Sequence, residues 1–390
     1  MPPGMQFKEI YSLLPFPLET EHFAIRYGPY VVGGRPEGGY RSHRGMGLVT
    51  AYADGLEASF EWLQRFVFRE TQPRLKIPVA VCHIPDWIFG RANAPTTVSS
   101  ETGPTILLSN RSFETSVSAR ADRARTEATH EVCHVFQFEK RPPVDDIKRR
   151  EWARFNDAMA VACEQLVNRG GAEGCFYFQD WLDSPDKPLD LQSYSACMFV
   201  RWIARRFSNQ TLGDIWEKAG KADTPLDTIE RLTGNTIDDL FTEYTRDAYF
   251  LCDYASHCFF PDIHFLWGFR EIRERFVLPS DNGKTFPGSL DHLASVYFEV
   301  RANEGVAAIE CSLESVAPTP ILRGEIAAVQ RDLRRRRSAR IELRPIATGR
   351  LRAEVRPVTD PEIDHFVIVV SNGSRNKDRE EFRLTVNSIL

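Results

Sequence analysis

The sequence predicts an α+β chain: strands around a long helix first, a helical stretch next, and an all-β sandwich last. Three observations carry this. Between residues 22 and 110, strand-like and helix-like hydrophobic periods alternate. From 117 onward, apolar residues recur at helical spacing through several segments. After residue 285, short alternating runs follow one another, separated by turn residues. These textures divide the chain into an α/β part at 1–116, a helical part at 117–260 and a sandwich at 285–390. The 390 residues are 42% hydrophobic and 26% charged, which supplies core material for more than one small unit.

The elements follow in order. "HFAIRYGPYVV" (22–32) alternates and is rich in β-branched and aromatic residues, so it predicts a strand. Residues 47–70 have the spacing of a long amphipathic helix. "RLKIPVAVCHI" (74–84) reads as a buried strand, and "PTILLSN" (104–110) as a shorter one at the edge of its sheet. Helices are expected at 117–138, 149–168 and 193–208; the last is apolar, then basic at its end, as the helix dipole favours. "TLGDIWEKAG" and "PLDTIERLTG" each close on glycine, the usual residue just past a helix C-terminus, and "TIDDLFTEYTRDAYFLCDY" ends the helical part. Residues 255–285 read as irregular. Six or more strands are expected beyond, with runs at 294–302, 306–315, 338–346, 350–358, 364–374 and 380–390.

The first predicted helix of the middle part carries the chemistry. Within "TEATHEVCHVFQFEK" (126–140), His130 and His134 stand four apart and Glu131 follows the first. Positions i and i+4 share one helix face. Two imidazoles placed so can hold one zinc ion. The adjacent glutamate can take a proton from a water held beside them. A catalytic zinc site uses three protein ligands, so a third is required. The next helix offers Glu151, Asp157 and Glu164. Asp157 and Glu164 are seven residues apart, two turns on one face, and the intervening "AMAVAC" is small enough for close helix packing. Glu151 is expected to face solvent. Cys133, inside the motif, reads as a packing residue, because no activating base is implied for it.

The stretch Trp152 to Glu164 resembles the second helix of the gluzincin metallopeptidases, where a Trp precedes a ligand Glu, then Gly, x, Ala and a second Glu. Here Asp157 stands in the ligand place, Ala158 for the Gly, Ala160 for the Ala and Glu164 for the second Glu. "SYSACMFVRWI" (193–203) resembles the family's Tyr-x-x-Gly segment, with Tyr194 as the tyrosine and Cys197 in place of the glycine. Gln137 and "FQDWLDSPDKPLD" (178–190) match the layout of uncharacterised bacterial peptidase sequences that also end in a β-sandwich. The resemblance implies a zincin-like catalytic domain, a Zn2+ cofactor and a peptide or protein substrate. It implies His130, His134 and Asp157 as ligands, Glu131 as general base and Tyr194 as the donor to the oxyanion. Aspartate is one methylene shorter than glutamate, so Glu164 stands as the alternative third ligand. If Asp157 ligates, Glu164 instead fixes one of the histidines.

Other features narrow the partners. A net charge of -5 and a pI near 6.1 argue against nucleic acid. The basic run "RDLRRRRSAR" (331–340) reads as a solvated loop or strand edge. No stretch is long and apolar enough to span a membrane. No leader of the usual form is seen, which points to the cytoplasm, while the resemblance also admits secretion. The eight cysteines contain no Cys-x-x-Cys pair and read as free thiols, with Cys252 and Cys258 as one candidate disulfide. His22, His83, His257, His264, His292 and His365 lack ligand spacing. Asp157 and Cys197 motivate a competing expectation, a gluzincin-fold scaffold that binds metal or protein without catalysis. A carbohydrate-binding sandwich would need an aromatic platform, and the C-terminal strands have few aromatics.

Overall fold

The structure, a computed structural model, describes residues 7–28, 43–74, 76–82, 96–100, 103–109, 117–140, 146–168, 174–220, 223–249, 271–278, 283–303, 306–315, 322–330, 344–346, 351–355 and 363–389. Helices, a mixed sheet and a β-rich C-terminal region make the chain α/β in composition. It divides into two compact units, one of residues 1–174 and 203–228, the other of 175–202 and 229–390. The helical stretch expected at 117–260 is therefore shared between them.

The first unit is built on a five-stranded sheet. Its strands are β1 (Phe16–Glu19), β2 (Phe23–Tyr27), β3 (Ile77–Cys82), β4 (Thr96–Ser100) and β5 (Gly103–Ser109), in the order β1-β2-β3-β5-β4. Strands β2, β3 and β5 are parallel, and β1 and β4 run antiparallel to their neighbours. Val79, Ala80 and Val81 of β3 are fully buried in succession, as expected of a central strand covered on both faces. Helix α1 (Phe7–Leu13) brings Ile10, with Leu14 just beyond it, against Ala80, Cys82 and Leu107. The alternate residues Val79, Val81, Ile106 and Leu108 point to the opposite face and are equally buried.

One expectation is overturned here. The strand read at 104–110 is β5, and it is interior, paired on one side with β3 and on the other with β4. The outer strand is β4, whose sequence "TTVSS" lacks the apolar alternation that marks a strand. His83 and Ile84, and residues 29–32 of the first expected strand, lie outside the described residues.

Two long helices pack on each other in this unit. Helix α2 (His43–Phe66) lies against α3 (Val117–Glu139), the helix of the histidine motif. A Cβ at Gly55 would sit 3.1 Å from the Arg125 backbone and 3.3 Å from the Ala128 Cβ, so glycine sets the approach of the two helices. Phe136 of α3 meets Phe60 and Phe68, at ring-centroid distances of 5.1 and 5.0 Å. Helix α4 (Asp146–Val167) then packs on α3, with every residue from Ala158 to Cys163 fully buried. Trp152 on α4 donates its indole N–H to the Asp223 carbonyl and packs edge-on against Trp216.

The second unit begins with α5 (Gly174–Leu182) and two short 3-10 turns at Leu189–Leu191 and Ser193–Ala196. Helix α6 (Cys197–Arg206) crosses between the units, α7 (Asn209–Glu217) belongs to the first, and α8 (Pro225–Thr233) crosses back. Helix α9 (Ile237–Tyr249) completes the helical part of the second unit.

Among the described residues, nine strands follow. One sheet has the order β11-β10-β13-β8-β6: Arg344–Ile346, Leu322–Gln330, Ile363–Asn372, Ala294–Ala302 and Glu274–Leu278. The other has the order β12-β9-β14-β7: Leu351–Val355, Ala308–Ser315, Glu380–Ile389 and Lys284–Leu290. Both contribute to one apolar core, in which Phe286 of β7 meets Phe276 and Phe298 of the other sheet at 4.9 and 5.1 Å. Strands β8, β9, β13 and β14 match the expected ones within a residue or two, and β11 and β12 fall within the other two, whose remaining residues lie outside the described ones. Three more were not located in the sequence. Strand β6 falls in the stretch read as irregular, β7 carries Pro287 and Gly288, and β10 "LRGEIAAVQ" is alanine-rich. Pro287 and Gly288 in β7 and Gly324 in β10 interrupt the sequence pattern by which strands are read.

Candidate metal centre

Helix α3 sets the first two donors. One turn apart on one face, the rings of His130 and His134 lie 4.6 Å between centroids, nearly perpendicular. Helix α4 supplies the third. Donor atoms of His130, His134 and Asp157 all fall within 4.8 Å of one another, and His134 Nε2 is 3.7 Å from Asp157 Oδ1. Tetrahedral zinc at about 2.0–2.1 Å from each ligand sets donor separations of about 3.3 Å. The set is thus slightly more open than bound zinc requires.

The ring nitrogens turned away from this point are held. His130 Nδ1 bonds Glu164 Oε1 at 2.6 Å. His134 Nδ1 bonds Gln137 Oε1 at 2.7 Å. Carboxylate and amide oxygens only accept, so both Nδ1 atoms carry the proton and both Nε2 atoms present a lone pair, the tautomer that ligates metal. The Asn156 amide lies 3.0 Å from His134 Nδ1. With that proton directed at Gln137, the amide oxygen is the end suited to this contact. Two imidazole nitrogens, each oriented by a further bond, and one carboxylate oxygen form a donor set that fits zinc.

Burial supports the same protonation state. The pKa of His130 is lowered to about 4, chiefly by burial, against an opposing pull from Asp157. That of His134 is also lowered to about 4, by burial first and by His130, against Asp157, Gln137 and Asn156. Both rings are neutral near pH 7 and ready to ligate.

The other predicted residues fall as follows. Glu131 is buried, with 2% exposure. Glu164 bonds His130 and is not among the three converging donors. Glu151 is exposed. Cys133 is fully buried, and burial and then the neighbouring Cys163 push its thiol well up, which suits packing and not nucleophilic attack. Tyr194 belongs to the second unit, where its ring stacks on Tyr177 at 5.0 Å. Cys197 is fully buried.

His22, His292 and His365 bond carboxylates, Glu57 for the first, Asp190 and Asp378 for the second, Asp364 for the third. Cys82, Cys133, Cys163, Cys197 and Cys311 are buried free thiols. His257, His264, Cys252, Cys258 and the basic run at 331–340 lie outside the described residues. Among the described residues, no helix is long and apolar enough to cross a membrane.

Asn156 is a contact of His134 that sequence reading missed. Its signal was its place directly before Asp157, on the helix that brings the third donor. No known family's sequence profile matches the chain, and no curated protein matches it.

Proposed function

We propose that the chain is a zinc-dependent peptide-bond hydrolase of gluzincin type. The observation that carries this reading is convergence. Three donors from two helices meet within 4.8 Å, and the outward nitrogen of each histidine is already engaged. His130, His134 and Asp157 would hold the ion, and Glu164 would orient His130. Zinc bound there would supply a Lewis acid that activates water and polarises a carbonyl.

Glu131 is the base in this reading. Its carboxylate accepts a proton from the attacking water and returns it to the leaving nitrogen. Tyr194 has the role that the resemblance implies, a hydroxyl donating to the developing oxyanion. The outer strand β4, in place of β5, is the edge that would align an extended substrate by main-chain pairing.

A second reading is a metal-binding or protein-binding scaffold without catalysis. The aspartate at position 157, with donors more widely spread than bound zinc requires, favours it. Metal content and hydrolysis separate the two. The enzyme reading expects about one zinc per chain, and a loss of about 100-fold or more in kcat on a peptide library for Glu131→Gln. Stoichiometric zinc with equal turnover in wild type and Glu131→Gln leaves only the scaffold.

A further inference from the structure

We infer that Gln137 is a positioning residue that sets the register of α4 against α3, so that the short carboxylate of Asp157 meets His130 and His134. The inference rests on the metal-site reading above. Gln137 is a buried polar residue on α3, with 1% exposure, one turn beyond His134. Both ends of its amide are used. Oε1 accepts from His134 Nδ1 at 2.7 Å, and Nε2 donates to the Asn156 carbonyl at 3.3 Å. That carbonyl belongs to the residue directly before Asp157. One side chain therefore joins the ring of one donor to the backbone that carries another.

Among the described residues, further polar ties between these helices lie toward the far end of α4, the contact of Cys163 with Cys133 among them. Asn168 donates to Thr129 Oγ1 at 2.9 Å, and Glu164 accepts from His130. Between those ties and Asp157 the buried run is Ala158 to Ala162. Apolar contact there is non-directional and does not fix register by itself. A hydrogen bond does, because its energy falls steeply with distance and angle. Gln137 and Asn156 are the polar tie at the Asp157 end. An aspartate reaches less far than a glutamate, so the helix backbone has to come closer, and the donated bond from Gln137 to the Asn156 carbonyl holds it there.

The test uses the full chain stripped of metal and titrated with Co2+ alone, with affinity read by chelator competition and site geometry by the d–d absorption bands. The melting temperature of the metal-free protein is recorded in parallel. Gln137→Leu is expected to bind Co2+ about 10–100-fold more weakly with altered d–d bands, an effect of the size seen when outer-shell partners are lost. Adding Asp157→Glu to Gln137→Leu is expected to regain part of that loss, because the longer side chain replaces the missing approach.

A purely structural role would lower the metal-free melting temperature and leave the affinity of the folded fraction unchanged. If Gln137→Leu does not fold, Gln137→Asn, which stays polar but is too short for both contacts, carries the same expectation. Wild-type affinity and bands in the folded variant overturn the inference. So does an Asp157→Glu addition that regains nothing, since Gln137 would then act on His134 alone. A wild-type chain that binds neither Co2+ nor Zn2+ overturns the metal-site reading itself, a distinct result.

Discussion

Asp157 and Glu164 sit two turns apart on α4, and their different surroundings give them different work. Asp157 directs a carboxylate oxygen toward His134 Nε2, the nitrogen that carries the lone pair. Glu164 lies behind His130, on the proton-bearing Nδ1, at 2.6 Å. Removing the two should therefore have unequal effects. Asp157→Ala is expected to abolish stoichiometric zinc, since two imidazoles alone leave the site short of a ligand. Glu164→Ala is expected to keep zinc but bind it about 10–100-fold more weakly, because His130 loses the bond that fixes its ring. Metal analysis of both variants after dialysis against a weak chelator reads this directly. The opposite ranking would make Glu164 the ligand. The histidine pair, Glu131 and both candidate carboxylates were legible in the sequence, because helical spacing converts directly into a shared face. The choice between the carboxylates was not, because it depends on how α4 sits against α3. Spacing along one helix says nothing of that.

At the scale of elements, helices were read more reliably than strands, and the reason is the length of the signal. Helix α3 offers six turns of periodic sequence, whereas β4 and β6 offer five residues each. The misread edge shows the consequence. The polar β4 carries no apolar alternation, so its apolar neighbour was taken for the edge, and only pairing reveals which one is outermost. Some ties between elements have no sequence period at all. His292, in the turn between β7 and β8, bonds Asp378 through Nδ1 and Asp190 through Nε2, so it joins the 3-10 turn at Leu189–Leu191 to the β-rich region. Two carboxylate acceptors on one ring need both nitrogens protonated. Burial lowers the His292 pKa, but the bonds to Asp378 and Asp190 outweigh it and the net shift is upward from 6.5. The folded state thus holds this proton more tightly than the unfolded chain. The stabilisation is fully present below pH 6.5 and is lost as pH rises through the higher folded value. Thermal melts from pH 6 to 9 are expected to show this decline, and His292→Gln to flatten it. An equal slope in the variant would remove His292 as its source.

For the whole molecule, the change in sequence texture near residue 285 does not mark where the compact units divide. The second unit takes in residues 175–202 and 229–249 as well as the strands. The physical reason lies on β13. Phe366, Ile368 and Val370 point into the core shared by the two sheets, and the alternate residues Val367 and Val369 point to the opposite face, yet they are buried too. Helix α9 packs on that strand, with Thr242 bonded to Ser371 and the Tyr297 hydroxyl donating to the Thr245 carbonyl. Leu240, Phe241, Tyr244 and Ala248 of α9 are buried in turn. Strand β13 is thus buried on both sides, one of them against helical sequence that precedes the sandwich. A fragment of residues 285–390, the domain that texture alone suggests, would lack both α9 and β6. It would expose Tyr297, Val367 and Val369 as one apolar patch and leave β8 as an unpaired edge. That fragment is expected to aggregate or to bind a hydrophobic dye without a cooperative melt, whereas a fragment of residues 229–390 is expected to melt more cooperatively. A monomeric 285–390 fragment with a sharp thermal transition would show that the sheets need no helical cover.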